Sequence, residues 1–166
     1  MQLHKRDVVD AATAILDNYG IADLTMRRLA RELDVSPGAL YWHFTNKQQL
    51  LGAVCDRILE PAGADAGPLE WRARISVVCS RLRDSLLSHT DGAELVSASF
   101  AAGQSRAVAS LVSQLADAAP EAGVDPMHAE LARTMAATPG ASWWYVLTDA
   151  GGAPLAIGQI RRRPTS

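Results

Sequence analysis

"LTMRRLARELDVSPGALYWHF", Leu24–Phe44, is the stretch whose reading decides the fold. Thr25 is placed to accept a hydrogen bond from the first turn of a helix, and along "MRRLAREL" the residues Leu29, Ala30 and Leu33 form an inward stripe. Arg27 and Arg31 are four residues apart and share another face. "DVS" then breaks the pattern. Ser36 can cap a new helix, and Pro37 suits its first position, where the N–H has no helical partner in any case. This next helix is expected from Pro37 to about Phe44, roughly 10–12 Å at about 1.5 Å per residue. Two helices joined by a three- or four-residue turn, the second one short, make a helix-turn-helix.

Tyr41, Trp42 and His43 follow one another on that short helix and cannot all point into one core. At about 100° per residue, an inward Leu40 brings Phe44 to nearly the same side and turns Gly38 and Trp42 the other way, with Ala39 and Tyr41 on the flanks. The outer face is therefore small at its start and aromatic at its end. Such a helix, held across one that bears Arg27 and Arg31, fits the major groove with its N-terminal residues at the base edges. Tyr41, Trp42, His43 and Lys47 would then meet sugar and phosphate, since phenol, indole N–H, imidazole and ammonium are all donors. The competing expectation is that Tyr41 and Trp42 are half-buried wedges against a preceding helix. Arg28 is a further candidate cation, with Glu32 four residues on as a pairing partner.

Outward from this centre, Val8, Ala12, Ile15 and Tyr19 mark one face of a helix from Lys5 to Tyr19, with Gly20 at its C-terminal cap. Thr45 and Gln48 suggest a capping box for a helix that carries Leu50, Leu51, Val54 and Ile58 inward until Pro61. "PAGADAGPL", residues 61–69, reads as a hinge. Beyond it, Ile75, Val78, Leu82 and Leu86 repeat at helical spacing between Trp71 and Ser88, and "HTDGAELVSASFAAG", "SRAVASLVSQLADAA" and "DPMHAELARTMAA" read as three more helical segments. In the tail, "WWYVLTDAGGAPLAIGQI" is taken as helix over Trp143–Thr148, although the turn-like "DAGGAP" between apolar runs is also a hairpin signal.

Composition sets the outer limits. The 166-residue chain is 48% hydrophobic, enough for a real core, and its net charge of −2 argues against a broad surface that coats nucleic acid. Residues 1–60 hold seven basic side chains against eight acidic ones, so a basic face must come from placement. Cys55 and Cys79 are 24 positions apart, with neither redox nor zinc spacing, and read as buried thiols. The N-terminus lacks the apolar run of a signal peptide, and no run of 18 apolar residues occurs, so a soluble cytoplasmic protein with no membrane partner is expected. No metal spacing, nucleophile elbow or phosphate loop is found, so an enzyme, a metal site and a cofactor are not expected.

"GIADLTMRRLARELDVSPGALYWHFTNKQQLLGAV" resembles the DNA-binding domain of the TetR family of bacterial transcription regulators, with "LYWHF" and "NK" especially close to the tetracycline-repressor subgroup. The similarity covers roughly residues 4–60. It implies an all-α protein with a helix-turn-helix domain over 1–60, a hinge over 61–69, and a helical regulatory and dimerisation domain over 70–166. It also implies a homodimer on a double-stranded palindromic operator, released by a small-molecule effector. By position, Thr25 caps and contacts phosphate, Arg27 matches the base-reading arginine, Pro37, Gly38 and Ala39 hold the sequence-reading positions, and Tyr41, Trp42, His43 and Lys47 match the backbone-anchoring set. Pro-Gly-Ala replaces the polar side chains that the tetracycline-repressor subgroup has there, so a different operator is expected.

"LRDSLLSHTDGAELVSAS" resembles that subgroup's "LLSH-x-DGA" segment. Where the subgroup has the histidine of its drug–magnesium site, this chain has Val96, and a threonine contact becomes Ser99. The effector is accordingly expected to be largely apolar and metal-free, in a pocket lined by Leu82, Leu86, Val96, Ser99 and Phe100, the alternative being that these are ordinary core. His89 and His128 read as capping or exposed residues. The dimer contact is expected within Met127–Leu147, with Trp143 or Trp144 in it. The rival to an operator-binding regulator is a helical small-molecule-binding module without specific operator recognition, because Pro-Gly-Ala offers no base-reading side chain.

Overall fold

The computed structural model describes residues 3–118, 121, 123, 143–148 and 154–160. Its helices are α1 (Lys5–Tyr19), α2 (Met26–Glu32), α3 (Pro37–Tyr41), α4 (Lys47–Ile58), α5 (Glu60–Gly63), α6 (Trp71–Leu87), α7 (Gly92–Ala102) and α8 (Arg106–Ala118). The strands β1 (Trp143–Thr148) and β2 (Pro154–Ile160) follow.

α1 buries Val8, Val9, Ala12, Ile15 and Leu16, one apolar stripe at helical spacing. Tyr19, expected on that stripe, is instead 55% exposed, because the stripe ends at Leu16 and Gly20 then turns the chain with φ 81°. The Thr25 hydroxyl accepts the Arg28 N–H at 3.1 Å and the Ser36 hydroxyl accepts the Ala39 N–H at 3.3 Å, so both expected caps of the helix-turn-helix are in place. α3 is shorter than expected: the N–H groups of His43 and Phe44 both turn onto the Leu40 carbonyl at 2.9 Å, which winds the chain off after one turn and a half. α4 is capped one residue later than expected. Asn46 Oδ1 accepts the Gln49 N–H at 2.9 Å while Gln49 Oε1 accepts the N–H of Thr45, the residue before the cap, at 3.1 Å, so the cap is Asn46 and the expected box of Thr45 with Gln48 does not form.

The core is continuous from the N-terminal helices into the following ones. Leu16, Leu24, Leu29, Leu40, Phe44, Leu50, Val54 and Leu59 are buried in one cluster with Val78, Leu95 and Leu111. Each such side chain contributes roughly 1.5–3 kcal/mol through its removal from water. α4 is the shared element: it packs on α1 on one side and on α7 and α8 on the other. Gly52 lets α4 approach closely, since a Cβ there would lie 2.4 Å from the Gln104 carbonyl oxygen. Part of the expected hinge is helical, with Pro61 in the first turn of α5, where it displaces no helical hydrogen bond.

The helix expected over Trp143–Thr148 is a strand. β1 and β2 pair antiparallel in the register Trp143↔Ile160 to Leu147↔Ala156, with an irregularity between Leu147 and Thr148. Six residues rich in aromatic and branched side chains suit a pleated strand better than an isolated helix. The segment "DPMHAELARTMAA", His128 and most of the expected dimer segment Met127–Leu147 lie outside the described residues.

Candidate nucleic-acid interface

α3 presents two faces of opposite character. Leu40 is 0% and Phe44 1% exposed, whereas Tyr41 is 51% and Trp42 91% exposed. The aromatic pair is therefore outside, and the wedge alternative is set aside: Leu40 and Phe44 do the anchoring. Pro37 and Gly38 are exposed and Ala39 is half-buried, leaving a surface with almost no side chain at the start of the helix. His43 is half-buried.

The cations around this face divide into engaged and available ones. Among the described residues, Arg27 and Arg31, both exposed on α2, and half-buried Lys47 at the start of α4 make no ion pair. Arg28 is engaged: its guanidinium pairs with Asp23 and lies 3.7 Å from the centre of the Tyr19 ring. Its partner is thus Asp23 on the preceding turn and not Glu32, because the exposed Tyr19 ring draws the side chain back towards α1. Lys5 was not singled out from sequence. It stands with Nζ 4.9 Å from the centre of the Phe44 ring and adds a cation just beyond the end of α3. Only the tertiary packing of α1 against Phe44 places it there.

Farther along the chain, Leu82, Leu86 and Val96 pack partly buried against the core, and Phe100 is 38% exposed. Ser99 is 1% exposed, and its hydroxyl donates to the Leu51 carbonyl of α4 at 3.3 Å. A separate open recess of about 300 Å³ is lined by Gly63, Asp65, Ala66, Arg74, Gln114 and Asp117 and contains none of the five expected pocket residues. His89, expected as a cap or an exposed residue, is paired with Asp17 of α1 at 2.9 Å. The two residues are 72 positions apart, so no local signal could have shown it. Burial pushes the Cys55 thiol above its ordinary pKa, hydrogen bonds from Ser105 and Ser99 act against this, and the Asp56 carboxylate adds to it. Cys79, expected to be buried, is exposed because it falls on the outer side of α6. No group of His, Cys, Asp and Glu among the described residues could hold a metal ion, and none of the described helices is long and apolar enough to cross a membrane.

The model of the bacterial regulatory proteins of the tetR family matches residues 8–54, from α1 into α4. A crystal structure of BioQ with its natural double-stranded DNA operator is 66% identical, with a TM-score of 0.75 over 80% of this chain and 79% of that one. The crystal structure of Mycobacterium smegmatis BioQ is 65% identical, with a TM-score of 0.76 over 81% and 75% of the two chains. Tetracycline repressor class E of Escherichia coli is 36% identical over 92 residues, 54% of this chain and 44% of the repressor. The chain thus spans less than half the length of that curated relative. With the helix-turn-helix present in sequence and in geometry, and with these relatives, the chain belongs to the TetR family of bacterial transcriptional regulators, which are not enzymes.

Proposed function

We propose that the chain is a ligand-responsive repressor that binds a palindromic operator as a homodimer in the cytoplasm and leaves it when a small, largely apolar effector binds. The observation that carries this reading is the α3 face: Trp42 at 91% exposure beside Tyr41, on a helix anchored by fully buried Leu40, next to Arg27, Arg31 and Lys47 without ion pairs among the described residues. A soluble protein gains nothing in stability from a bare indole, and unpaired arginines beside donor-bearing aromatics suit phosphate oxygens. The similarity to BioQ, crystallised with its operator, supports the same use of this surface.

In this reading residues 1–60 form the DNA-binding module, 61–69 the connection and 70–166 the regulatory and dimerisation module. Thr25, Tyr41, Trp42, His43 and Lys47 hold the sugar–phosphate backbone, Arg27 reaches a base edge, and the small Pro37–Gly38–Ala39 surface lets the helix sit close to the groove floor. Arg28 reaches DNA only by giving up Asp23, so its main part is to hold the turn between α1 and α2. The effector enters between α6 and α7, where Leu82, Leu86, Val96 and Phe100 supply apolar contact. Displacing Ser99 there would break its bond to Leu51 and so pull on α4, the helix that begins at Lys47. An effector acts this way only if it binds the released state more tightly than the bound one.

Fluorescence anisotropy with labelled duplex DNA, repeated over a range of salt concentrations, tests the reading. A steep fall of affinity with salt, about 0.9 in log–log slope for each neutralised phosphate, is expected. Affinity independent of salt contradicts it. Calorimetry with tetracycline and magnesium tests the effector class: no tight magnesium-dependent binding is expected with Val96 at that position.

A further inference from the structure

The start of α1 carries His4, Lys5 and Arg6 in a row, and the three are used differently. His4 is the N-cap, and its N–H donates to Asp7 Oδ2 at 3.0 Å. Arg6 turns along α1, its Nε 3.7 Å from the Asp10 carboxylate, which Arg57 of α4 shares at 3.3 Å. Lys5 is exposed and pairs with no carboxylate among the described residues. Its Nζ stands instead 4.9 Å from the centre of the Phe44 ring.

An exposed lysine without an ion pair is ordinary, but the place where this one is held is not arbitrary. Phe44 follows exposed Trp42 by two residues and precedes Lys47 by three, so its ring marks the junction of α3 and α4 at the edge of the aromatic face. The chain is fixed on both sides of Lys5: Leu3 packs partly buried against the core and Val8 is fully buried in it. The negative face of the Phe44 ring then draws the ammonium to this junction. An ammonium has three N–H donors, and a ring lies on one side of it only, so the other donors face outward with no acceptor among the described residues.

We propose that Lys5 is a further phosphate-contacting residue, which extends the DNA footprint from the helix-turn-helix onto α1, with the Phe44 ring as the device that positions its ammonium. Together with Arg27 and Arg31 on α2 and Lys47 on α4, it borders α3 with cations from α1, α2 and α4. A phosphate contact carries no sequence information, so Lys5 strengthens binding to any duplex and leaves the preferred site unchanged. Because the ring already holds the side chain, little of its freedom remains to be lost when a phosphate arrives. Neutralising one phosphate contributes about 0.9 to the slope of log K against log salt, which amounts to about fivefold in affinity at about 0.15 M salt and about fifteenfold at about 0.05 M. The inference rests on the operator-binding reading above.

The test uses the full chain with Lys5→Gln, which removes the charge, Lys5→Arg, which keeps it, and Arg6→Gln, which removes the same charge from the neighbouring residue. Each is titrated by fluorescence anisotropy over a salt series, with the duplex selected by the wild-type chain and with a duplex of unrelated sequence. Lys5→Gln should lower the salt slope by about 0.9 on both duplexes, so that its deficit widens from about fivefold to about fifteenfold between about 0.15 and 0.05 M salt. Lys5→Arg should keep the wild-type slope, and Arg6→Gln should change it far less than Lys5→Gln. A Lys5→Gln chain with the wild-type slope overturns the contact and leaves the operator reading standing. So does a deficit of the same size at every salt concentration, which would make the Lys5–Phe44 contact a structural one, and so does an equal fall of slope in Arg6→Gln, which would make the effect one of total charge. A wild-type chain that binds neither duplex removes the contact and the operator reading together.

Discussion

Replacing Trp42 with alanine separates the cost of folding from the cost of binding at one residue. At 91% exposure the indole buries little of itself. A tryptophan carries about 250 Å² of contact surface, so the hidden part is about 20 Å², and at about 25 cal/mol per Å² its loss destabilises the fold by only about 0.5 kcal/mol. If the indole N–H donates to a phosphate, the same change removes a charge-assisted hydrogen bond of about 1.5–3 kcal/mol, or roughly ten- to a hundredfold in operator affinity. Leu40→Ala should show the reverse weighting: Leu40 is 0% exposed, and its truncation should cost about 2–5 kcal/mol of stability. Urea unfolding and anisotropy titrations on the two variants decide the matter. A Trp42→Ala protein with unchanged stability and unchanged operator affinity would refute the assignment of the exposed face to DNA.

Lys47→Ala should weaken binding to all duplexes alike and lower the salt slope by about one; a sequence-dependent loss measured across several duplexes would contradict a phosphate contact. Gly52→Ala should cost about 1–3 kcal/mol in urea unfolding, because its Cβ would meet the Gln104 carbonyl at 2.4 Å, and an unshifted midpoint would show that the α4 contact yields easily. A neutral thiol reagent at mildly alkaline pH should label exposed Cys79 in the native chain and leave Cys55 until unfolding, as mass spectrometry would show. Burial raises the folded pKa of Cys55 above its ordinary 9.0, so its contribution to stability is fully present below pH 9.0 and is lost as pH rises through the folded value. Unfolding midpoints should therefore fall faster above pH 9.0 in the wild type than in Cys55→Ser, and parallel curves would contradict this.

The helix-turn-helix was legible because its signals are local. Thr25, Ser36 and Pro37 act within one turn of themselves, and the position of Leu40 alone determines which way Trp42 faces. What escaped the sequence was tertiary. Arg28 turned to Asp23 and the Tyr19 ring because α1 lies beside α2, and Lys5 came to Phe44 because α1 crosses the end of α3. The role of His89 required a partner 72 residues away. Caps one residue apart, Thr45 or Asn46, differ only in backbone geometry that composition does not carry. β1 fell between two patterns because six residues, from Trp143 to Thr148, are too few to display a period. The apolar effector residues had helical spacing, but the same spacing serves a core, and Ser99 turned out to be bonded to α4.

The central claim is that the exposed face of α3 reads duplex DNA. Selection of bound sequences from random duplex DNA by the purified full chain tests it most directly. The account predicts enrichment of one two-fold symmetric site, bound at about nanomolar to tens of nanomolar concentration at moderate salt. No sequence enriched above non-specific background, even at low salt, would contradict it.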